Sequence, residues 1–121
     1  MNLYSKLRLL EKKIEEKEEI IFETPYKKKR KIIGINNGYI VYERDNKKTG
    51  KLNIDLLYRD YLLLRDLGSL TAENLKNFNK KYKNGKEPCD VTTFMLLMEY
   101  FFQCTFVKGK KYSQSIIIWK D

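Results

Sequence analysis

Histidine is absent from this 121-residue sequence, and cysteine and proline each occur only twice. The lack of histidine excludes catalytic triads that use an imidazole base, zinc fingers of the Cys2His2 type and histidine-liganded metal nucleases. The cysteines, Cys89 and Cys104, are too few for a disulfide framework, and a helix between them would hold them about 22 Å apart. We therefore expect free thiols, with neither a metal site nor a cofactor.

Long apolar runs are missing as well. No stretch approaches the roughly 18 to 20 apolar residues that a membrane span needs, and the N-terminal residues contain no continuous apolar segment of signal-peptide length. The sequence therefore predicts a cytoplasmic protein, in the host cytoplasm if its source is viral, with no membrane partner. Hydrophobic residues make up 42% of the chain, which suffices for the core of one domain and argues against disorder.

Positive charge is abundant and unevenly distributed. The formal net charge is +9 at pH 7. Residues 23–53 hold nine basic and three acidic side chains, and smaller basic excesses lie in residues 72–86 and 105–121. Near-neutral or acidic apolar segments separate the three blocks. If the blocks converge on one face of the folded protein, they predict a binding surface for an anionic partner.

An amphipathic helix is predicted over residues 2–19, within an N-terminal region of residues 1–22 that precedes a single compact α+β domain, residues 23–121. Its apolar stripe has helical spacings and consists of Leu3, Leu7, Leu10 and Ile14. Because only two heptads are present, we favour packing of the stripe on the helix's own domain. The alternative is a homodimer formed through this helix.

A β-hairpin is predicted in the first basic block. The segments KIIGI (residues 31–35) and YIVYER (residues 39–44) are rich in β-branched and aromatic residues. Asn36, Asn37 and Gly38 lie between them, and asparagine and glycine tolerate the positive φ that a tight turn demands. A short third strand is expected after Gly50.

Helices dominate the following segment. One helix is predicted to end at Leu67 with Gly68 as its cap, and a second is predicted to begin after an N-cap at Thr71. A third helix, VTTFMLLMEYFFQ, is apolar nearly all round, which is typical of a buried helix. The closing segments TFV and SIIIW predict a second hairpin with a basic turn between them.

From Ile54 onward, the order of three helices and a hairpin resembles winged helix-turn-helix modules. The expected fold is therefore α+β and winged-helix-like: an N-terminal helix, a β-hairpin, three helices and a C-terminal β-hairpin. The resemblance implies that the third helix enters the DNA major groove, but only Val91, Thr92 and Thr93 near its start can face bases. The basic run with KIIGINNGYIVYER and GSLTAENL is also similar to small accessory DNA-binding modules of prokaryotic nucleases.

Candidate nucleic-acid contacts come from the basic run KKKRK, from the turn after the first hairpin and from the C-terminal basic turn. Lysine and arginine there can neutralise phosphates and release counterions. The predicted residues are Lys27, Lys28, Lys29, Arg30, Lys31, Lys47, Lys48, Lys51, Lys108, Lys110, Lys111 and Tyr112. Tyr39, Tyr42 and Tyr112 can stack on the bases of a single strand. Solvated turns, strand edges protected by lysine and ordinary tyrosine packing explain the same residues.

No arrangement of residues predicts catalysis. Glu15 and Glu16 beside Lys17 suit a solvated helix face, and Asp90 suits a helix cap. The acidic residues of the next helix suit capping or pairing with neighbouring arginines; they are Asp55, Asp60 and Asp66. Cys89 at a helix start has no histidine partner to activate it. The chain is therefore not expected to be an enzyme.

The function expected from these features is that of a basic nucleic-acid-binding module, with DNA favoured over RNA. It would contact the phosphate backbone with limited sequence specificity. The alternative belongs to another class: a small interaction or inhibitor protein of a virus or mobile element that acts on a nucleic-acid enzyme through an acidic protein surface. Salt-sensitive binding to nucleic acid of arbitrary sequence separates the two.

Overall fold

A computed structural model describes residues 2–45, 47–78 and 88–120. The helices are α1 (Leu3–Glu15), α2 (Ile54–Leu67), α3 (Ala72–Phe78) and α4 (Pro88–Phe102). The strands are β1 (Ile20–Glu23), β2 (Lys29–Asn36), β3 (Tyr39–Arg44), β4 (Thr49–Asn53), β5 (Ser69–Thr71), β6 (Thr105–Val107) and β7 (Ile116–Ile118). The α+β class is confirmed. The winged-helix-like arrangement is not matched, because a four-stranded sheet stands in place of the first hairpin.

The main sheet is an antiparallel meander in the order β1-β2-β3-β4. Its central hairpin turns at Asn37 and Gly38, whose φ values are 50° and 81°, as the predicted tight turn requires. Because successive strands reverse direction, the β1–β2 and β3–β4 turns lie together at the opposite end of the sheet. That end carries the first two basic segments.

Helix α1 is shorter than predicted, and a strand follows it. The helix ends at Glu15, and the backbone turns away at Lys17, which has a φ of 61°. Two hydrogen bonds close this end: Glu18 N donates to Lys13 O and Lys17 N donates to Ile14 O, both at 3.0 Å. Strand β1, which the sequence did not indicate, then forms by pairing with β2.

The core lies on one face of the main sheet. Leu3, Leu7 and Leu10 of α1 are at most 6% exposed and belong to the same cluster as the inward side chains of the strands, so the stripe packs on its own chain. Helices α2 and α4 contact β4 and pack on the same core. On the other face Ile21 and Ile33 are 50% and 40% exposed.

A second sheet of three strands follows, in the order β5-β7-β6. The predicted hairpin of β6 and β7 is confirmed, whereas β5 was not predicted. The helix boundaries beside it are confirmed: Gly68 closes α2 with a φ of 84°, and Asn74 N donates to Thr71 Oγ1 at the start of α3. This sheet positions the basic loop between β6 and β7.

Helix α4 is the buried helix that its composition predicts. Val91, Thr92 and Thr93 are 0%, 3% and 0% exposed, so they cannot face the bases of a DNA groove as the winged-helix resemblance implies. Burial continues without a break from residue 90 to residue 98. Within the described parts of the chain, no helix combines the length and apolarity that crossing a bilayer requires.

Candidate nucleic-acid interface

The β1–β2 turn is built on Thr24, which is 3% exposed. Its backbone N–H donates to Lys28 O at 2.7 Å, and its carbonyl accepts from Lys27 N at 2.9 Å. The Thr24 hydroxyl also accepts from the backbone N–H groups of Tyr26 and Lys28. Lys27 adopts the left-handed backbone conformation with a φ of 62°, and turns of this kind favour glycine at such a position. The buried threonine therefore holds two exposed lysines in a defined turn.

The β3–β4 turn repeats this geometry with another pair of lysines. Arg44 N donates to Lys48 O at 2.9 Å, and Lys47 N donates to Arg44 O at 3.0 Å. Lys47 has a φ of 65°, so it stands in the place that Lys27 takes in the first turn. Both turns thus present a left-handed lysine followed directly by a second lysine.

The two turns are joined by a side chain. Asp45 of the second turn accepts a hydrogen bond of 2.8 Å from the backbone N–H of Lys29, the first residue of β2. In the sheet, Arg30 lies opposite Arg44 and Lys31 opposite Glu43, so the two turns project side by side beyond the strands. The first two predicted basic segments therefore meet.

The third basic segment reaches the same end through Tyr26. The Tyr26 hydroxyl is hydrogen-bonded to the hydroxyl of Ser115, which is fully buried at the end of the β6–β7 loop. Lys108, at the start of that loop, places its Nζ 5.1 Å from the centre of the Tyr26 ring. Sequence reasoning missed Tyr26, although an aromatic residue between Pro25 and a lysine run is a visible signal.

The five exposed lysines of the two sheet turns and Lys108 therefore gather at the turn end of the main sheet, and Lys110 and Lys111 continue the same exposed loop. We call these eight lysines the basic end: Lys27, Lys28, Lys29, Lys47, Lys48, Lys108, Lys110 and Lys111. Among the residues that the structure describes, acidic side chains are fewer here, namely Glu23, Glu43 and Asp45, and Glu43 lies 3.7 Å from Lys47 Nζ. Since exposed ion pairs are weak, the local charge stays strongly positive.

Three of the predicted contact residues lie elsewhere on the sheet. Arg30 is 7% exposed, shares the inward face with buried Ile32, and its Nη1 donates to its neighbour's carbonyl, Lys29 O, at 2.9 Å. Lys31 points outward and lies 3.8 Å from Glu19. Lys51 also lies on the outward face, where its Nζ is 5.8 Å from the ring centre of Tyr39. These three are not part of the basic end.

The predicted stacking tyrosines have different positions. Tyr42 is 1% exposed, and its hydroxyl donates to Asp90, so burial excludes it from base stacking. Asp90 itself lies within the first turn of α4 and accepts this bond, where an N-cap was predicted. Tyr39 is half-buried on the outward face. Tyr112 lies in a short 3-10 helix, Tyr112–Gln114, and its side chain is outside the described structure.

Other candidate chemistry is limited. Across residues 2–45, 47–78 and 88–120, no three histidine, cysteine, aspartate or glutamate side chains are grouped to hold a metal ion. The side chain of Cys104 is buried, with 3% of its surface exposed. The side chain of Cys89 and most of the basic block at residues 72–86 lie outside the described residues.

Comparisons with known proteins add no constraint. No protein-family model, no curated protein and no solved structure matches the chain. The winged-helix and nuclease-accessory resemblances therefore stay predictions, and the functional argument rests on the residues of the basic end.

Proposed function

We propose that the chain is a nucleic-acid-binding module that contacts phosphates through its basic end. The observation that carries this proposal is the convergence of three sequence-distant lysine segments on one end of the main sheet. Such a concentration of cations attracts a polyanion from a distance and gains free energy by releasing its condensed counterions. A flexible lysine ammonium bonds a phosphate as a point charge and needs no particular base sequence.

Limited sequence specificity is part of the proposal. Direct readout uses arginine, asparagine or glutamine side chains on an element that enters a groove. The start of α4 is buried, and the basic end is made of lysines on turns. Contacts of this type position a protein on the backbone, so duplexes of different sequence should bind with similar affinity. Of the two nucleic acids, we favour DNA as the ligand.

Salt titration of binding tests the proposal. Fluorescence anisotropy with a labelled 20-base-pair duplex of mixed sequence gives the dissociation constant between about 50 and 300 mM salt. For roughly five phosphate contacts we expect a log-log slope of about −4 to −5. Changing Lys108, Lys110 and Lys111 together to alanine should flatten the slope by about 2 to 3, and changing Lys27, Lys28 and Lys29 should do the same.

A charge-matched control separates local contact from total charge. The triple change Arg8→Ala, Lys12→Ala and Arg59→Ala removes three exposed cations of α1 and α2. We expect it to leave the slope within about one unit of the wild type, because it removes no phosphate contact. Equal slopes for all three triple variants, or no binding at 50 mM salt, would refute the proposal. Tight binding to an acidic protein without binding to nucleic acid would favour an interaction protein.

A further inference from the structure

A second surface, away from the basic end, combines aromatic rings with lysines around the C-terminal part of α4. One cavity of about 200 Å³ lies between α1 and α4 and is lined by Lys6, Lys13 and Tyr100. Another, of about 490 Å³, shares Lys6 and Tyr100 and extends to Trp119. The two cavities adjoin at these shared side chains, and we call them together the trough.

The aromatic wall of the trough packs against the buried core. Phe102 stacks on Tyr61 with ring centres 5.0 Å apart and an angle of 21° between the planes. Trp119 packs 5.2 Å from Phe102 and 5.9 Å from Tyr61. Tyr61 is 3% exposed, whereas Phe102 and Trp119 are half-buried and Tyr100 is 38% exposed. The wall is therefore fixed by the core and still presents aromatic surface to solvent.

Ammonium groups border each part of this wall. Lys6 Nζ lies 5.9 Å from the ring centre of Phe102. Lys13 Nζ lies 5.5 Å from the ring centre of Tyr100 and donates a 3.0 Å hydrogen bond to its hydroxyl. Lys120 Nζ, beside Trp119, donates to Gln103 Oε1 at 2.6 Å. No carboxylate is among the described residues that line these two cavities, whereas Glu18 and Glu19 line a neighbouring cavity that shares Lys13 and Tyr100.

An occupant of complementary chemistry must offer flat π-faces and negative charge at short intervals. Single-stranded nucleic acid does so, because its bases are free to stack on aromatic side chains while its phosphates meet lysines. A duplex does not, since its bases stack on each other and show only their edges. We infer that the trough binds the unpaired bases of single-stranded DNA or RNA, an inference that rests on the proposed function and names its substrate class.

Trp119 is the single tryptophan of the chain, so tryptophan fluorescence reports on binding at this site. A mixed-sequence 12-nucleotide single strand should quench its fluorescence on binding, whereas the matching duplex, held by the basic end, should quench it much less at equal occupancy. Anisotropy of the labelled strands measures that occupancy independently. The full chain is used throughout.

Variants at Tyr100 test the stacking itself. Tyr100→Leu should weaken single-strand binding by about 5- to 150-fold and leave duplex binding unchanged. Tyr100→Phe keeps the ring and should stay near the wild type, and unchanged duplex binding by Tyr100→Leu shows that this variant is folded. Tyr4→Leu is the matched control, since Tyr4 is 44% exposed on α1 and does not line either cavity.

The outcomes separate this inference from the proposed function. Strand binding without Trp119 quenching, or equal affinities for Tyr100→Leu and Tyr4→Leu, overturns the trough and leaves the basic end as the whole site. Quenching by a glutamate-rich peptide but not by the oligonucleotide overturns it in favour of an acidic protein partner. Absence of any nucleic-acid binding defeats both proposals.

Discussion

The hydroxyl of Tyr42 donates a 2.5 Å hydrogen bond to Oδ1 of Asp90 and so ties the centre of the main sheet to the first turn of α4. The two residues are 1% and 2% exposed. A buried acceptor that loses its donor is not compensated by water, so this contact is costly to break. The bond holds α4 in place over β3 and β4.

Removing the Tyr42 hydroxyl should destabilise the protein. We expect Tyr42→Phe to lower the free energy of unfolding by about 1 to 3 kcal/mol, because Asp90 loses a donor inside the core. Urea unfolding followed by circular dichroism measures the change. Tyr39→Phe, on the outward face of the same strand, should change it by less than about 0.5 kcal/mol. Equal effects would show that the bond to Asp90 does not stabilise the fold.

Gly50 makes room for the same tyrosine. It is the cross-strand partner of Tyr42, and a Cβ at Gly50 would overlap the tyrosine ring. Because the ring is tied to Asp90, Gly50→Ala should cost about 1 to 3 kcal/mol of unfolding free energy. Gly34→Ala is the control, since its Cβ would meet no atom within 4 Å. A comparable loss in both variants would trace the effect to glycine replacement in a strand alone.

The left-handed lysines of the two turns predict a conflict between stability and binding. Lys27→Gly and Lys47→Gly should each raise the unfolding free energy by up to about 1 kcal/mol, because glycine adopts positive φ without steric cost. Each should also weaken nucleic-acid binding and flatten the salt slope by about 0.9. Both quantities come from urea titration and anisotropy on the same samples.

Lys17 supplies the matched control for that prediction. It has the same conformation and charge but lies between α1 and β1, before the end of β1 that is farther from the basic turns. Lys17→Gly should stabilise the fold to a similar extent while leaving the affinity and the slope unchanged. If Lys17→Gly weakened binding as much as Lys27→Gly, total charge rather than position would govern the affinity.

The pKa of Lys13 should depend on Tyr100. The hydrogen bond that Lys13 donates to the Tyr100 hydroxyl, together with the electrostatic interaction between the two groups, raises the pKa of Lys13 above its ordinary value of 10.5. A raised pKa means that the contact stabilises the fold below about pH 10.5 and is lost as pH rises through the folded-state value. In an NMR titration of the lysine side chains, Tyr100→Phe should lower the Lys13 pKa, whereas Tyr4→Phe should not.

Local signals predicted the local features of this fold. Asn37 and Gly38 identify their turn, and Gly68 and Thr71 identify helix ends, because each feature is decided by one or two residues. Strands β1 and β5 were missed for the opposite reason. Residues 16–19 continue the charged pattern of α1, and both strands are short, so their extended conformation is decided by pairing with distant strands.

The two candidate sites also differ in how far the sequence predicts them. The lysines of the basic end are visible in the sequence as three blocks, but only the meander and the Tyr26 contact with Ser115 bring the blocks together. No motif in the sequence predicts the trough, since its residues come from α1, α4 and the segment after β7. The mostly apolar pattern of α4 also gives no sign that Glu99 and Tyr100 are exposed while Met98 and Phe101 on either side are buried.

The order of strands in the second sheet determines which parts of the protein can fold first during synthesis. Strand β7 is the central strand, yet it leaves the ribosome after both of its neighbours. Until then β5 and β6 have no partner to pair with, and Tyr26 has no Ser115 to bond. The main sheet, whose strands are sequence neighbours, can form early, because local contacts cost less loop-closure entropy. The basic end is therefore assembled in two steps, with its third lysine segment added last.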